Sequence, residues 1–198
     1  MPPPFTATFL KSCSALGDLP LDSVPEAAIL GRSNVGKSSL LNTLAGHRHL
    51  AQTSRTPGRT RLLNLFNVNG HQLRLVDCPG YGYAKVARDM RIGWGDLIQP
   101  YLEQRPNLRL AVLLVDGMLP AQPMDLELDA WLRLHQRPRL LVATKWDRMS
   151  GNLRAQARRR LTEAFGEAPL PFSSVNHEGR DALRHALLAA AAAPAAPA

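Results

Sequence analysis

Short apolar runs alternate with segments of helical periodicity along most of the chain. Each run is four to six residues long, which is the length of a buried strand. Residues 110–115 and 140–143 are apolar throughout, and this suits a parallel sheet that is covered on both faces. The predicted strands are residues 27–30, 73–76, 110–115, 140–143 and, near the C-terminus, 169–172.

Three further segments place apolar residues at helical spacing. The alternation of strand and helix predicts an α/β fold, a three-layer wound domain around a central, mostly parallel sheet of about six strands. Ligands of such a fold bind at the carboxyl ends of the strands, in loops that lead into helices. The helical segments are marked by Leu40, Leu41 and Leu44, by Leu128, Trp131 and Leu132, and by Leu183, Leu187 and Leu188.

Length and composition indicate a single domain. A chain of 198 residues with 45% apolar residues can bury one sizeable core, which we place at residues 23–188. Residues 1–22 are assigned to an N-terminal extension, and residues 189–198 to an alanine- and proline-rich disordered tail. The two cysteines offer no disulfide framework, and no apolar stretch has the length of a membrane span. We expect a cytoplasmic monomer that makes no membrane contact.

The positive charge is concentrated in one segment. The formal net charge is +8, and residues 131–160 hold nine lysines and arginines against the single acid Asp147, so the rest of the chain nets to zero. A basic segment such as residues 133–160 is typical of a surface that meets a large anion, of which nucleic acid is the usual example. A solvated helix face would have the same composition, and both interpretations stay open.

The stretch GRSNVGKSS, residues 31–39, stands between a predicted strand and a predicted helix. It matches the phosphate-loop pattern G-x-x-x-x-G-K-[ST], in which backbone N–H groups and a helix N-terminus cradle phosphates. Lys37 is expected to reach the β and γ phosphates, and the Ser38 hydroxyl to ligate Mg²⁺. The nucleotide-binding residues predicted here are Gly31, Arg32, Ser33, Asn34, Val35, Gly36, Lys37, Ser38 and Ser39.

Kinases, ATPases and GTPases share the phosphate loop, so later segments must identify the nucleotide. Asp77 follows a predicted strand and can hold Mg²⁺ through water, and Gly80 can offer its N–H to a γ-phosphate. Asp147 can accept from N1–H and the 2-amino group of guanine, a donor pair that adenine lacks. Ser173 and Ser174 can offer a backbone N–H to the guanine O6. The segments are Asp77-Cys78-Pro79-Gly80, Thr144-Lys145-Trp146-Asp147 and Phe172-Ser173-Ser174.

The order and the amino-acid sequences of these segments resemble those of the EngB family of bacterial, translation-factor-like GTPases. The resemblance runs from about residue 5 to residue 188. The resemblance rests on GRSNVGKSSLLN, SRTPGRTRLLNLF, DCPGYGYAKV, TKWD and FSS. It implies a protein that binds GTP and GDP with Mg²⁺ and hydrolyses GTP. It also implies a role in assembling the large ribosomal subunit, with contacts to ribosomal RNA, and in normal cell division and septation.

The same resemblance makes Thr60 the threonine of the first switch, whose hydroxyl completes the Mg²⁺ shell when GTP is bound. Its neighbours Gly58, Arg59, Arg61 and Leu62 are assigned to the nucleotide site with it. The residues themselves favour a switch here, because residues 47–60 form a fourteen-residue polar run without apolar periodicity. Such a run is expected to order around the γ-phosphate and to be released after hydrolysis.

Two positions depart from the general GTPase pattern. Thr144 replaces the usual asparagine of Asn-Lys-x-Asp and so removes an amide that bonds guanine and the phosphate loop, although the EngB family commonly has threonine here. Tyr81 follows Gly80 where Ras-like proteins have the glutamine that orients the attacking water, so intrinsic hydrolysis should be slow. Asn34 resembles the asparagine with which related GTPases hold a K⁺ ion, which would supply charge stabilisation.

These assignments give Lys37, Thr60, Gly80 and Asn34 to catalysis, and Ser38, Thr60 and Asp77 to Mg²⁺. Two other functions remain compatible with the residues. One is a nucleotide-gated module that binds RNA or the ribosome with negligible turnover. The other is an ATP-using phosphotransferase, which would need an acceptor site and a lid that the chain has no inserted domain to provide.

Overall fold

The computed structural model describes residues 5–47, 50, 62–82 and 97–193. The strands of these ranges form one seven-stranded sheet. They are β1 (Ala7–Cys13), β2 (Glu26–Gly31), β3 (Leu63–Val68), β4 (Leu73–Asp77), β5 (Leu108–Asp116), β6 (Arg139–Thr144) and β7 (Leu170–Pro171).

The strand order is β1-β3-β4-β2-β5-β6-β7. β2 pairs in parallel with β4 and β5, and parallel pairing continues through β6 to β7. β3 is antiparallel to both of its neighbours, β1 and β4. The predicted fold class, a wound α/β domain with a mostly parallel sheet, is confirmed.

The described part of the sheet has seven strands, where the sequence predicted about six. The two strands without a predicted counterpart, β1 and β3, lie on its antiparallel side. β1 is exposed at five of its seven positions, so it has no continuous apolar run, and β3 has asparagines at positions 64 and 67. β1 lies within residues 1–22, the segment assigned to an N-terminal extension, and pairs with β3 along its length.

Five α-helices lie in the described ranges. Three of them coincide with the predicted apolar faces, whereas the second and fourth were not predicted. The fourth helix buries only Ala157, Leu161 and Phe165 among many arginines, which hides its apolar face in the sequence. The helices are α1 (Lys37–Ala45), α2 (Ile98–Gln104), α3 (Pro123–Leu134), α4 (Gly151–Phe165) and α5 (Arg180–Ala192), with 3₁₀ turns at Leu16–Asp18 and Trp146–Arg148.

The sheet separates two apolar cores. One core contains buried side chains of α2, α3 and α4, and the other those of α1 and α5. β2 contributes to both, because Ala28 and Leu30 enter the first core while Ala27 and Ile29 enter the second. The arrangement has three layers, as predicted. None of the helices in the described ranges is long and apolar enough to cross a membrane.

α5 closes over the C-terminal end of α1. The Arg184 guanidinium donates to the Leu44 carbonyl oxygen from Nε at 3.0 Å and from Nη2 at 2.5 Å. The last carbonyls of a helix have no intrahelical partner, so Arg184 caps α1 from outside. Leu183 and Leu187 of α5 pack into the core that α1 shares. The helix that leaves the phosphate loop is therefore held at its far end by the C-terminal helix.

Glu26 begins β2 at the opposite end from Gly31 and is fully buried. Its carboxylate accepts from Arg105 at 2.7 Å, from Arg74 at 3.1 Å and from the Tyr101 hydroxyl at 3.1 Å. A buried carboxylate is costly unless it is paired and hydrogen-bonded, and these donors satisfy it. The network joins β2 and β4 to α2 at the amino end of the sheet.

Candidate nucleotide-binding site

Parallel strands bring their carboxyl ends to one edge of the sheet. Here β2, β4, β5 and β6 end at Gly31, Asp77, Asp116 and Thr144. Three of these ends carry motifs that were predicted from the sequence. Asp116 was not predicted, although an aspartate at the end of an apolar run is the same signal that identified Asp77.

The phosphate loop leaves β2 at Gly31 and enters α1 at Lys37. Gly31 has a φ of 153°, and a Cβ atom built there would lie 2.8 Å from Val35 Cγ1 and 2.9 Å from the Leu114 carbonyl oxygen. A larger residue would therefore force the loop away from β5. Asn34 has a φ of 65°, a left-handed conformation that asparagine tolerates better than most residues. The loop has the tight, glycine-dependent path of a phosphate-binding backbone.

Lys37 folds back over this loop. Its Nζ donates to the carbonyl oxygen of Gly31 at 3.1 Å and lies 3.4 Å from that of Arg32. Burial lowers the pKa of the ammonium, and the negative charge of Asp77 opposes the shift. A buried ammonium with carbonyl partners is placed to exchange them for phosphate oxygens when a nucleotide binds.

Asp77 ends β4, and its carboxylate is buried close enough to Lys37 to feel its charge. Burial raises the pKa of Asp77 to about 6, and the charge of Lys37 and a hydrogen bond from Asn64 act against the shift. Among the described residues, no group donates a hydrogen bond to the buried Asp77 Oδ1. A buried carboxylate oxygen without a donor suits a hydrated Mg²⁺, which binds oxygen ligands. Together with the Ser38 hydroxyl in the first turn of α1, it forms a donor set that fits this ion.

Gly80 lies directly against the phosphate loop. A Cβ atom at this position would lie 2.7 Å from Lys37 Nζ and 3.0 Å from the Ser33 backbone nitrogen, so a side chain here would crowd the phosphate loop. The Ser33 hydroxyl donates to the Gly80 carbonyl oxygen at 3.3 Å, and the Ser33 N–H donates to the Tyr81 carbonyl oxygen at 2.8 Å. The D-x-x-G segment and the phosphate loop are thus joined where the γ-phosphate is expected.

Cys78 and Pro79 stand between Asp77 and Gly80. Cys78 is almost fully buried, and its N–H donates to the Ile29 carbonyl oxygen at 3.2 Å. Burial raises the pKa of the thiol, so Cys78 stays protonated and serves as a small apolar group.

The Tyr81 side chain is packed in the protein interior. Its ring is buried among apolar residues, and its hydroxyl donates to Asp125 Oδ1 at 2.8 Å. Asp125 lies in the first turn of α3. The side chain at the position of the Ras glutamine is therefore engaged in the protein interior, where it does not orient a water molecule. Asp125 was missed by the sequence analysis, because nothing in the chain links it to a residue 44 positions away.

Thr144 connects the base motif to the phosphate loop. Its hydroxyl donates to the Val35 carbonyl oxygen at 2.7 Å and lies 3.1 Å from that of Val115. Replacement of the usual asparagine predicts the loss of an amide link to the phosphate loop. The threonine hydroxyl supplies the connection to the phosphate loop instead, and only the amide contact to the base lacks a replacement.

Lys145 has a φ of 58°, which turns its side chain across the site, and its Nζ lies 2.6 Å from Asp116 Oδ2. The other oxygen of Asp116 accepts from the Met118 N–H at 3.0 Å. The carboxylate is thereby fixed by the backbone and in turn fixes the ammonium. Asp116 is a positioning partner for the lysine of the base motif.

Ser173 orients Asp147. The Ser173 hydroxyl donates to Asp147 Oδ1 at 2.6 Å, and its own N–H is used in a bond to the Glu178 carbonyl oxygen at 3.0 Å. Of the two serines proposed to donate to guanine O6, Ser174 is therefore the one with an available N–H. Trp146 is buried, and its N–H donates to the Phe172 carbonyl oxygen at 3.2 Å, which ties the base motif to the end of β7.

A cavity of about 260 Å³ lies between the phosphate loop and the base motif. It brings together residues from both ends of the predicted site, which are more than 100 positions apart in the chain. Arg148, directly after Asp147, was not predicted to line it. The lining residues are Asn34, Val35, Gly36, Ser39, Thr144, Lys145, Arg148, Phe172 and Ser174.

The basic segment is less positive than its composition suggests. In the described part of the chain, five acidic side chains from outside residues 131–160 pair with its lysine and arginines, and two of its arginines bind backbone carbonyl oxygens only. Arg148 and Arg158 have exposed side chains without a hydrogen bond or ion pair to any described residue. The acids are Asp116, Asp129, Glu163, Glu167 and Glu178, and the two arginines are Arg137 and Arg160.

Some of the predicted nucleotide residues lie outside the described ranges. They are Gly58, Arg59, Thr60 and Arg61 of the first switch. Leu62 is described and directly precedes β3, half-buried. The assignments of Thr60 to catalysis and to Mg²⁺ accordingly stay predictions.

Comparison with known proteins gives a consistent result. Residues 26–145 match the family described as 50S ribosome-binding GTPase. A probable GTP-binding protein EngB from Prosthecochloris aestuarii is 43% identical over 180 residues, which cover 90% of this chain and 93% of that protein. The corresponding protein of Pelobacter propionicus is 45% identical over 180 residues, covering 89% and 90% of the two chains.

Solved structures share the fold at lower identity. A crystal structure of a probable GTP-binding protein EngB has a TM-score of 0.69 and 22% identity, covering 84% of this chain and 98% of the other. Era from Aquifex aeolicus bound to GDP and AlF₄⁻ has a TM-score of 0.67 and 23% identity, covering 87% and 57%. At these identities the likeness concerns the fold alone.

The alignments with these two relatives cover nearly the whole length of both chains. The match is therefore not confined to the phosphate loop that many nucleotide-binding proteins share. It takes in the phosphate loop, the D-x-x-G segment and the guanine motif that the fold assembles at one edge of the sheet. The chain belongs to the EngB family of GTP-binding proteins, within the ribosome-binding GTPases.

Proposed function

We propose that this protein hydrolyses GTP slowly, with Mg²⁺, and uses its nucleotide state as a switch in assembly of the large ribosomal subunit. The observation that carries the proposal is the packing of Gly80 against Lys37 and Ser33, from which the D-x-x-G glycine would meet the γ-phosphate. A site built only to hold GDP would not need this contact. In the cell the protein would act in the cytoplasm, where it would meet ribosomal subunits.

Guanine recognition is assigned to Asp147. Its carboxylate would accept from N1–H and the 2-amino group of the base, while Ser173 holds Oδ1 in place. Ser174 would donate its N–H to O6, and Lys145 would lie along the base with its ammonium on Asp116. Adenine presents neither of the donors that Asp147 requires. An ATP-using phosphotransferase is accordingly disfavoured.

Mg²⁺, held by Ser38 and Asp77, would supply positive charge beside the β and γ phosphates. Lys37 would bind the β and γ oxygens, and the Gly80 N–H would bind the γ-phosphate. Because the Tyr81 hydroxyl is bound to Asp125, the side chain that follows Gly80 would not orient the attacking water, which is consistent with slow intrinsic hydrolysis. Asn34 is proposed to help hold K⁺ near the phosphates, where it would offset developing negative charge.

The ribosomal role rests on family membership and on the basic segment. The matched family is described as binding the 50S ribosome. Arg148 and Arg158, which have no partner among the described residues, are the members of the segment most available to phosphate. A requirement in cell division and septation would follow from a shortage of completed subunits or from a separate contact.

Cosedimentation with purified 50S subunits tests the switch. The protein should pellet with the subunits in a nonhydrolysable GTP analogue and much less in GDP. Equal pelleting in both nucleotides would contradict the proposed switch. GTP turnover should be measured in the same samples, because bound GTP that persists for hours beside the subunit would favour the binding module without turnover.

Charge reversal tests the RNA contact. Arg158→Glu/Arg159→Glu should weaken subunit binding and lower the slope of log K against log salt by somewhat less than about one for each lost phosphate contact. GDP affinity should stay unchanged. Arg160 is left intact, because it holds the carbonyl oxygens of Gly117 and Leu119 beside the nucleotide edge. Lys11→Glu/Arg180→Glu, with the same charge change outside the segment, is the control, and an equal loss in both would assign the effect to net charge.

A further inference from the structure

The Tyr81 and Asp125 side chains form a hydrogen-bonded pair inside an apolar core. Tyr81 is 3% exposed and Asp125 is 2% exposed, and the phenol donates to Asp125 Oδ1 at 2.8 Å. Burial raises the pKa of the Tyr81 hydroxyl, so it remains a donor, and burial raises the pKa of Asp125 to about 6. Two apolar side chains would fill this space at lower cost. The pair therefore calls for an explanation beyond packing.

Its position suggests one. Tyr81 is the residue after Gly80, and Asp125 lies in the first turn of α3. The pair fixes one end of the D-x-x-G segment to a helix of the core. Ser33 of the phosphate loop fixes the same segment from the other side, through the carbonyl oxygens of Gly80 and Tyr81.

Arg32 of the phosphate loop faces the same pair. Its charge lowers the pKa of Asp125 and acts against the raised pKa of Tyr81. A Cβ atom built at Gly82 would lie 3.1 Å from Arg32 Nε, so the arginine side chain passes close over the backbone that follows Tyr81. The phosphate loop, the D-x-x-G segment and α3 thus meet around one buried carboxylate.

We infer that Asp125 is a positioning residue for recognition of the γ-phosphate, acting through Tyr81 on Gly80. The hydrogen bond holds the backbone next to Gly80 in place before a nucleotide binds, so the Gly80 N–H can meet the γ-phosphate without first being ordered. Removing such preorganisation costs affinity only for the ligand that uses the ordered group. GDP has no γ-phosphate and should be insensitive. This inference rests on the proposed function of the same site.

The test compares affinities for fluorescent GDP and for a fluorescent, nonhydrolysable GTP analogue. Tyr81→Phe and Asp125→Leu, neither of which can form this bond, should each lower the affinity for the GTP analogue about tenfold, the loss of one hydrogen bond to a charged group, and leave GDP affinity within about twofold. The double variant should lose no more than either single variant, because both remove one interaction. Additive losses, or equal losses for both nucleotides, would overturn the inference.

Tyr101→Phe is the matched control. Tyr101 is also fully buried and also donates to a buried carboxylate, that of Glu26, at the other end of the sheet. Its removal should lower the thermal midpoint about as much as Tyr81→Phe does, without changing the ratio of the two affinities. A parent protein that binds neither nucleotide would refute the proposed function itself. If the parent binds both nucleotides and the variants keep the same ratio of GTP-analogue affinity to GDP affinity, only the role of Asp125 would be refuted.

Discussion

The Thr144 hydroxyl donates a hydrogen bond to the carbonyl oxygen of Val35 across 2.7 Å. One partner belongs to the motif that reads the base and the other to the loop that holds the phosphates. The bond is buried, so neither group can turn to water if the other is removed. The two halves of the nucleotide site are thereby joined by a short, buried hydrogen bond.

Thr144→Val should therefore weaken the binding of both GDP and GTP. Valine keeps the shape of threonine but leaves the Val35 carbonyl oxygen without a donor, which costs about 1 kcal/mol or somewhat more and corresponds to about fivefold to tenfold in affinity. The affinities for GDP and for GTP should fall equally, since this contact does not involve the γ-phosphate. The dissociation rate of fluorescent GDP measures the effect. Thr144→Ser retains the hydroxyl and is the control, and a loss as large as that of valine would exclude the hydrogen bond as the cause.

Asp147→Asn should change the base preference of the site from guanine to xanthine. The substitution replaces an acceptor by an amide donor, and xanthine presents a carbonyl where guanine has its 2-amino group. Affinity for GTP should fall while affinity for xanthosine triphosphate rises. Competition of both nucleotides against fluorescent GDP measures the exchange in the parent and the variant. An unchanged guanine preference would remove Asp147 from the base site.

Turnover should be faster in KCl than in NaCl at equal ionic strength, because Asn34 is proposed to hold K⁺ near the phosphates. Asn34→Gly should lose this preference, since glycine removes the side chain while accepting the φ of 65° found at this position. Initial rates of phosphate release in the two salts, for both proteins, measure it. A preference for KCl that persists in Asn34→Gly would assign the ion to other ligands, and equal parent rates would exclude it.

The contribution of Asp125 to the free energy of unfolding should decrease as pH rises from about 4 to 6. Its folded pKa is about 6 against an ordinary value of 3.8, because burial and the charge of Asp116 outweigh the Tyr81 hydrogen bond and Arg32. The folded state therefore binds this proton more tightly than the unfolded state does. The contribution to the free energy of unfolding is fully present below pH 4, and about 3 kcal/mol of it is lost by pH 7.

Urea unfolding of the parent and of Asp125→Asn between pH 4 and pH 7 measures this loss. The difference between the two proteins isolates Asp125, because every other titrating group is common to both. The parent should lose stability relative to the variant as pH rises. A difference that stays constant across this range would show that the carboxylate ionises as it does in water.

The strands and motifs that could be predicted are those whose signal is local. Residues 110–115 are apolar throughout because β5 is covered on both faces, and the phosphate loop is a continuous pattern. β1 escaped prediction because its side chains are mostly exposed on an edge strand. Asp125 and Asp116 escaped because their roles depend on partners 44 and 29 positions away, a pairing that only the folded chain reveals.

The cap that Arg184 places on Leu44 has a consequence for the newly made chain. The phosphate loop leaves the ribosome more than 140 residues before α5 is complete. Until then α1 lacks both the Arg184 hydrogen bonds to Leu44 and the leucines of α5 that pack beside it. We expect a chain still in synthesis to bind nucleotide weakly, and tight binding to begin only when α5 docks. Acquisition of GTP would then report that α5 has been made and has folded onto α1.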